Sequence, residues 1–225
     1  MGVVLLVRHG QASFGADDYD VLSPTGWEQG RTLGRWLRER GVAPTGVVRG
    51  SMRRHRETLE ALVEGAGWSE PAAHDEDGRW DEFDHLAVVG AYPDLPEGEL
   101  DRPAFQRVFE LATHRWSTGE HDGDYAETYT GFRGRTRAAL GAVVEQAGSG
   151  RSVVVVTSGG VVAALGAALL LGDDVDPATY AATWQRLNTV CANTSVTRVV
   201  VGRGGPRLLT FNEHEHLAPD QLTYR

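Results

Sequence analysis

An α/β fold with a mostly parallel sheet is the architecture this sequence predicts, and three observations carry it. Val3–Val7 and Val153–Val156 are continuous apolar runs rich in β-branched residues, the pattern of strands buried on both faces. Segments with helix signals separate and follow these runs, so strands alternate with helices. Near the end, Ser195 to Val201 and Arg207 to Phe211 flank Gly-Arg-Gly-Gly-Pro, which predicts a hairpin and one antiparallel edge strand.

The elements follow in order. After the first strand, Ser23 caps a helix with Pro24 at its first position, and Gly41 stops it. Val47-Val48 is a short second strand. Ser51 is expected to cap the next helix, which continues to about Glu64. Residues 65–102, rich in Gly, Pro and acids, read as an irregular insertion. Helices are expected at about 103–116 and 131–147, with a polar loop from Thr118 to Thr130 between them. Beyond the strand Val153–Val156, Val161 to Leu171 reads as a buried helix, and a shorter helix covers about 177–186. No linker or repeat interrupts the chain. The expectation is one domain over 1–225, with an irregular and helical insertion at about 65–130.

Composition narrows the function. With 225 residues, 41% hydrophobic and 24% charged, the balance is that of an ordinary globular protein and excludes disordered, collagenous and coiled-coil classes. The one cysteine, Cys191, rules out an intrachain disulfide and a cysteine zinc site. All 22 basic residues are arginine, so neither a lysine Schiff base nor a P-loop lysine exists. A net charge of -9 argues against a nucleic-acid partner. The longest apolar stretch, Val161 to Leu171, is too short for a membrane span. The apolar run after Met1 is too short for a signal peptide and lacks a basic leader. A cytoplasmic protein without a membrane partner is expected.

In open α/β sheets, ligands bind beyond the carboxyl ends of the strands. Two strand ends carry unusual polar loops: Arg8-His9-Gly10-Gln11 and Thr157-Ser158-Gly159-Gly160. A third cluster, Arg49, Arg53, Arg54 and Arg56 with His55 among them, lies around the start of a helix. A helix start favours anions, so cations there make sense if an anion joins them. The alternative is a solvated basic face paired with Glu57 and Glu60. A fourth segment, Trp80-Asp81-Glu82-Phe83-Asp84-His85, sets acids among aromatics, where desolvation favours a protonated carboxyl.

Taken together and in order, these residues resemble the histidine phosphatase superfamily, which includes the cofactor-dependent phosphoglycerate mutases. Leu6-Val7-Arg8-His9-Gly10-Gln11 is similar to its signature. Ser51 to Thr58 resembles the second-arginine motif, with Arg54 at the matching position, and Trp80-Asp81-Glu82 resembles the acid motif. Asn193-Thr194-Ser195 and the stretch from Phe211-Asn212 to His216-Leu217 also fit. The resemblance implies a three-layer α/β/α fold of the phosphoglycerate mutase type. It implies His9 as a nucleophile that takes up a phosphoryl group, Arg8 and Arg54 as its clamp, and Glu82 as general acid. Gln11, Ser158 and Gly159 would complete a phosphate pocket.

The sequence departs from the family pattern at three positions. Ser158 stands where the family usually has a second histidine, and Ala12 and Gly15 replace a common Thr and Asn. His85 or Arg53 is expected to offer compensating charge, together with the amides of Gly159 and Gly160. The implied function is a phosphomonoesterase acting on a small, singly phosphorylated metabolite, with no cofactor and no metal. The acidic loops within residues 83–130 would repel polyanions and set specificity. Mutase-type phosphoryl transfer and an impaired phosphate-binding protein are the alternatives. A metal reading of Glu213-His214-Glu215-His216 is set aside, because that tail fits the family without metal. Neither substrate identity nor oligomeric state can be read from the sequence.

Overall fold

Side chains alternate across a β-strand, and that alternation divides the core of this protein in two. The computed structural model describes residues 1–13, 20–69, 74–96, 98, 100–172 and 174–224. Strands β1 (Gly2–Arg8), β2 (Gly46–Arg49), β3 (His74–Glu76), β4 (Ser152–Thr157), β5 (Val196–Gly202) and β6 (Gly205–Glu213) form one sheet. Its order is β3-β2-β4-β1-β5-β6. On one face Leu5, Val7, Val47, Val154 and Val156 pack with Leu33, Leu37, Leu59 and Leu62. These come from helices α1 (Pro24–Glu39) and α2 (Arg53–Ala66). On the other face Val4, Leu6, Val48, Val153 and Val155 meet a larger cluster. Its helices include α5 (Tyr129–Gln146), α6 (Gly159–Leu171) and α7 (Pro177–Val190). The sheet is therefore the middle of three layers, as expected.

β1 pairs with β4, β4 with β2, and β2 with β3, all in parallel. β5 runs against β1, and β6 against β5, so the antiparallel edge is the hairpin. Because β1 to β4 point the same way, Arg8, Arg49, Glu76 and Thr157 end on one edge of the sheet.

Two sequence expectations need correction. The stretch 65–102 is not wholly irregular: it contains β3, a one-turn 3-10 helix at Gly78–Trp80, and α3 (His85–Gly90). β3 has no apolar pattern of its own and forms on the open edge of β2, where Arg49 pairs with Glu76 at 2.6 Å. The second correction concerns Ser51. The cap residue of α2 is Met52, which makes no side-chain cap bond. Asp20 and Asp81 serve that end instead: the Arg53 amide donates to Asp20 at 2.7 Å and the Ser51 amide to Asp81 at 2.6 Å. Ser23 does cap α1, accepting from the Gly26 amide at 3.0 Å. The α4 helix (Arg102–Thr118) and α5 match the helices expected there, and α6 begins two residues earlier than the apolar run suggests. No helix among the described residues is long and apolar enough to cross a membrane.

Candidate active site

The chain leaves β1 at Arg8 and places His9 in a buried turn, 6% exposed. Several groups hold that turn. The His9 amide donates to the Thr157 carbonyl at 2.8 Å. The His9 carbonyl accepts from Asn193 Nδ2 at 3.0 Å and from the Thr194 amide at 3.3 Å. Thr194 sits at φ 56°, in the left-handed region that a β-branched residue adopts only at a cost. That conformation aims its N–H at the carbonyls of Arg8 and His9.

The protonation state of His9 follows from its contacts. Its Nδ1 lies 2.7 Å from the Gly10 carbonyl oxygen. A carbonyl only accepts, so Nδ1 carries the proton and Nε2 keeps its lone pair. Burial, and then the charges of Arg54, Arg8 and His55, hold the imidazole pKa well below its ordinary 6.5. At neutral pH, His9 is therefore an uncharged ring with a nucleophilic nitrogen.

Both expected arginines reach this edge. Arg8 Nη1 donates to the Cys191 carbonyl and, at 2.8 Å, to the Tyr224 carbonyl. Arg54 is buried and its Nη1 meets Asp20 at 2.7 Å. The basic cluster at the start of α2 thus divides. Arg56 pairs with Glu60 at 3.6 Å on the solvated face, whereas Arg53 pairs at 2.7 Å with Glu57, a buried carboxylate that also accepts from the Leu22 amide at 2.8 Å. Arg54 and His55 turn inward.

Glu82 is fixed by its surroundings. Arg135, on α5, donates to the carbonyls of Arg79 at 2.9 Å, Asp81 at 2.7 Å and Glu82 at 3.4 Å. Thr157 Oγ1 donates to the Trp80 carbonyl at 2.5 Å. The Glu82 carboxylate accepts from the Gly160 amide at 2.9 Å. Burial pushes its pKa up, against the opposing pull of that amide and of Arg54 and Arg8. Its environment thus favours the protonated form, as a proton donor requires.

Ser158 is fully buried at the N-cap of α6 and makes no cap bond. Its hydroxyl instead lies 2.8 Å from Nε2 of the equally buried His55. Neither His85 nor Arg53 fills this space. The His85 ring packs on Phe109, with centroids 6.4 Å apart, and Arg53 engages Glu57. The Gly160 amide, expected to face phosphate, is bonded to Glu82. Gln11 supports the neighbouring loop, its Oε1 accepting from Ser23 at 2.9 Å and its amide donating to Gln29 at 2.8 Å. Gly159 faces Arg8: a Cβ at this position would lie 3.2 Å from Arg8 Nε.

His55, Arg135 and Asp20 are the site residues that sequence reasoning missed. The one signal for His55 was its place beside Arg54 at a helix start. Nothing local marked Arg135. In the tail, His214 Nδ1 contacts the Asn212 carbonyl at 2.6 Å, and His216 packs on Trp36 with centroids 5.6 Å apart. Among the described residues, no group of three or more His, Cys, Asp or Glu is placed to hold a metal.

A neutral buried imidazole beside two arginines, with a buried carboxyl whose pKa is pushed up, is equipment suited to phosphoryl chemistry. The chain belongs to the histidine phosphatase superfamily (branch 1), whose model matches residues 4–214. Three solved structures share the fold. YhfR of Bacillus stearothermophilus is 22% identical with a TM-score of 0.68, covering 95% of this chain and 98% of its own. A phosphoserine phosphatase variant from Entamoeba histolytica in complex with phosphoserine is 18% identical with a TM-score of 0.65, covering 97% and 100%. A phosphoglycerate mutase from Bacillus anthracis is 19% identical with a TM-score of 0.64, covering 96% and 94%. No curated protein matches the chain. Membership of this family supports a phosphatase or phosphoryl-transfer enzyme, and the three structures share its fold.

Proposed function

We propose that this protein is a phosphomonoesterase that hydrolyses a small, singly phosphorylated metabolite through a phosphohistidine at His9. The observation that carries this reading is the Nδ1 contact of His9 to the Gly10 carbonyl, which leaves Nε2 free to attack phosphorus. In the first step Nε2 forms a bond to phosphorus and the ester oxygen departs with the proton of Glu82. In the second, the Glu82 carboxylate takes a proton from water, whose oxygen attacks the phosphohistidine and releases inorganic phosphate. Arg8 and Arg54 neutralise the phosphoryl oxygens in both transition states. Asp20 holds Arg54 at 2.7 Å and would yield to the phosphoryl group. The steps call for neither metal nor nucleotide.

The substrate class follows from charge. The acid-rich segment 83–130, which carries α3 and α4, disfavours polyanions, so a single phosphoryl group on a small organic body suits the site. Phosphoserine and phosphoglycerate, named for two of the similar proteins, belong to this class. The test is turnover of a panel of phosphomonoesters with product analysis. Release of inorganic phosphate supports the proposal. An isomerised ester would identify a mutase, and binding without turnover an impaired enzyme.

A further inference from the structure

Ser158 and His55, both buried, and the part-exposed Asp81 form a row of polar groups beside the nucleophile. His55 Nε2 lies 2.8 Å from Ser158 Oγ, and its Nδ1 lies 3.5 Å from Asp81 Oδ1. The His55 and His9 ring centroids are 5.8 Å apart. Asp81 is itself anchored, accepting from the Ser51 amide at 2.6 Å and from the Ser51 hydroxyl. The row leaves no spare room: a Cβ on Gly50 would collide with His55 Nδ1 and Asp81 Oδ1. His55 and Ser158 are both 0% exposed, so no water competes for them from outside.

The direction of the Ser158 proton depends on the charge of His55. With His55 neutral and its proton on Nδ1 towards Asp81, Nε2 accepts the Ser158 proton. With a second proton on the ring, Nε2 donates to Ser158 Oγ, and Ser158 turns its own O–H elsewhere. We propose that His55 is a positioning residue of the phosphoryl site: a phosphoryl group at His9 draws a proton onto His55, which frees the Ser158 hydroxyl to donate to that group. This deepens the phosphomonoesterase reading above and rests on it. Ser158 would then offer a donor polarised by a cation rather than an isolated hydroxyl.

The groups facing His55 balance so that a dianion tips them. Burial, Arg54 on its own helix and His9 across the site oppose protonation. Asp81 and Asp20 favour it. Without a phosphoryl charge in the balance the first set prevails and the His55 pKa lies below its ordinary 6.5. A phosphoryl dianion adds to the second set.

The primary test is a nuclear magnetic resonance titration of the histidine rings in the wild-type protein, with and without inorganic phosphate. Phosphate is expected to raise the His55 midpoint by about one pH unit or more. An unmoved His55 alongside a perturbed His9 overturns the inference and leaves the phosphatase reading standing. If neither ring responds, the site reading falls with it.

A positional exchange gives a second, kinetic test. His55→Ala is expected to lower kcat/KM about 10- to 100-fold, the scale of a lost charged hydrogen bond. Ser158→His alone crowds two imidazoles and also lowers it. The double variant His55→Ala/Ser158→His is expected to exceed either single variant about tenfold, because a histidine at 158, given the room left by His55, would supply directly the charged donor that His55 and Ser158 supply together. A folded double variant no better than the singles overturns the inference.

Discussion

The Gly160 amide donates to the Glu82 carboxylate at 2.9 Å, so the start of α6 orients the acid of the site. A Cβ at position 160 would collide with Glu82 Oε1 and lie 3.0 Å from its carboxyl carbon. Gly160→Ala therefore displaces the end of the Glu82 side chain rather than backbone. The expected result is a loss of roughly 100-fold in kcat for ordinary esters, with the thermal midpoint nearly unchanged. Paired activity and melting measurements check this, and a matching loss of stability would point to a packing role.

Glu82→Gln keeps the shape and removes the proton. Turnover of poor leaving groups is expected to fall by about 100-fold or more, the scale of general acid catalysis. Esters whose leaving group departs without protonation should be affected far less. Equal losses for both substrate types would mean that Glu82 is structural.

The pH dependence of kcat/KM has a defined sign. Protonated His9 cannot attack, so the rate falls as pH drops through its midpoint, which lies well below 6.5. Ionised Glu82 donates no proton, so the rate falls as pH rises through its midpoint, which lies above 4.5. Wild-type enzyme should show both limbs and an acidic optimum. Glu82→Gln, assayed with a good leaving group, should lose the alkaline limb and keep the acid one. Survival of the alkaline limb in that variant would assign it to another group.

What the sequence revealed and what it concealed have a physical basis. Val3–Val7 and Val153–Val156 were legible because strands buried on both faces need uninterrupted apolar runs. Their ends located Arg8, His9 and the Ser158 loop, since parallel strands deliver their carboxyl ends to one edge. β3 was hidden because His74-Asp75-Glu76 carries no strand pattern and exists only where β2 offers a partner. The inward turn of His55 was hidden because a side chain's direction at a helix start depends on how that helix docks. Arg135 reaches the acid segment from a distant helix, and no local spacing encodes that contact. The exchange of Ser51 for Met52 as cap has the same origin: the Asp20 carboxylate, remote in sequence, takes the Arg53 amide that a Ser51 cap would serve, and Asp81 takes the amide of Ser51 itself.

The most direct test of the account is the covalent intermediate on His9. Wild-type protein mixed with a phosphomonoester labelled in its phosphoryl group and quenched within a turnover should carry acid-labile label on His9. His9→Ala should carry none and should lose turnover. Label on another residue, such as Ser158, or turnover retained by His9→Ala, would contradict the mechanism.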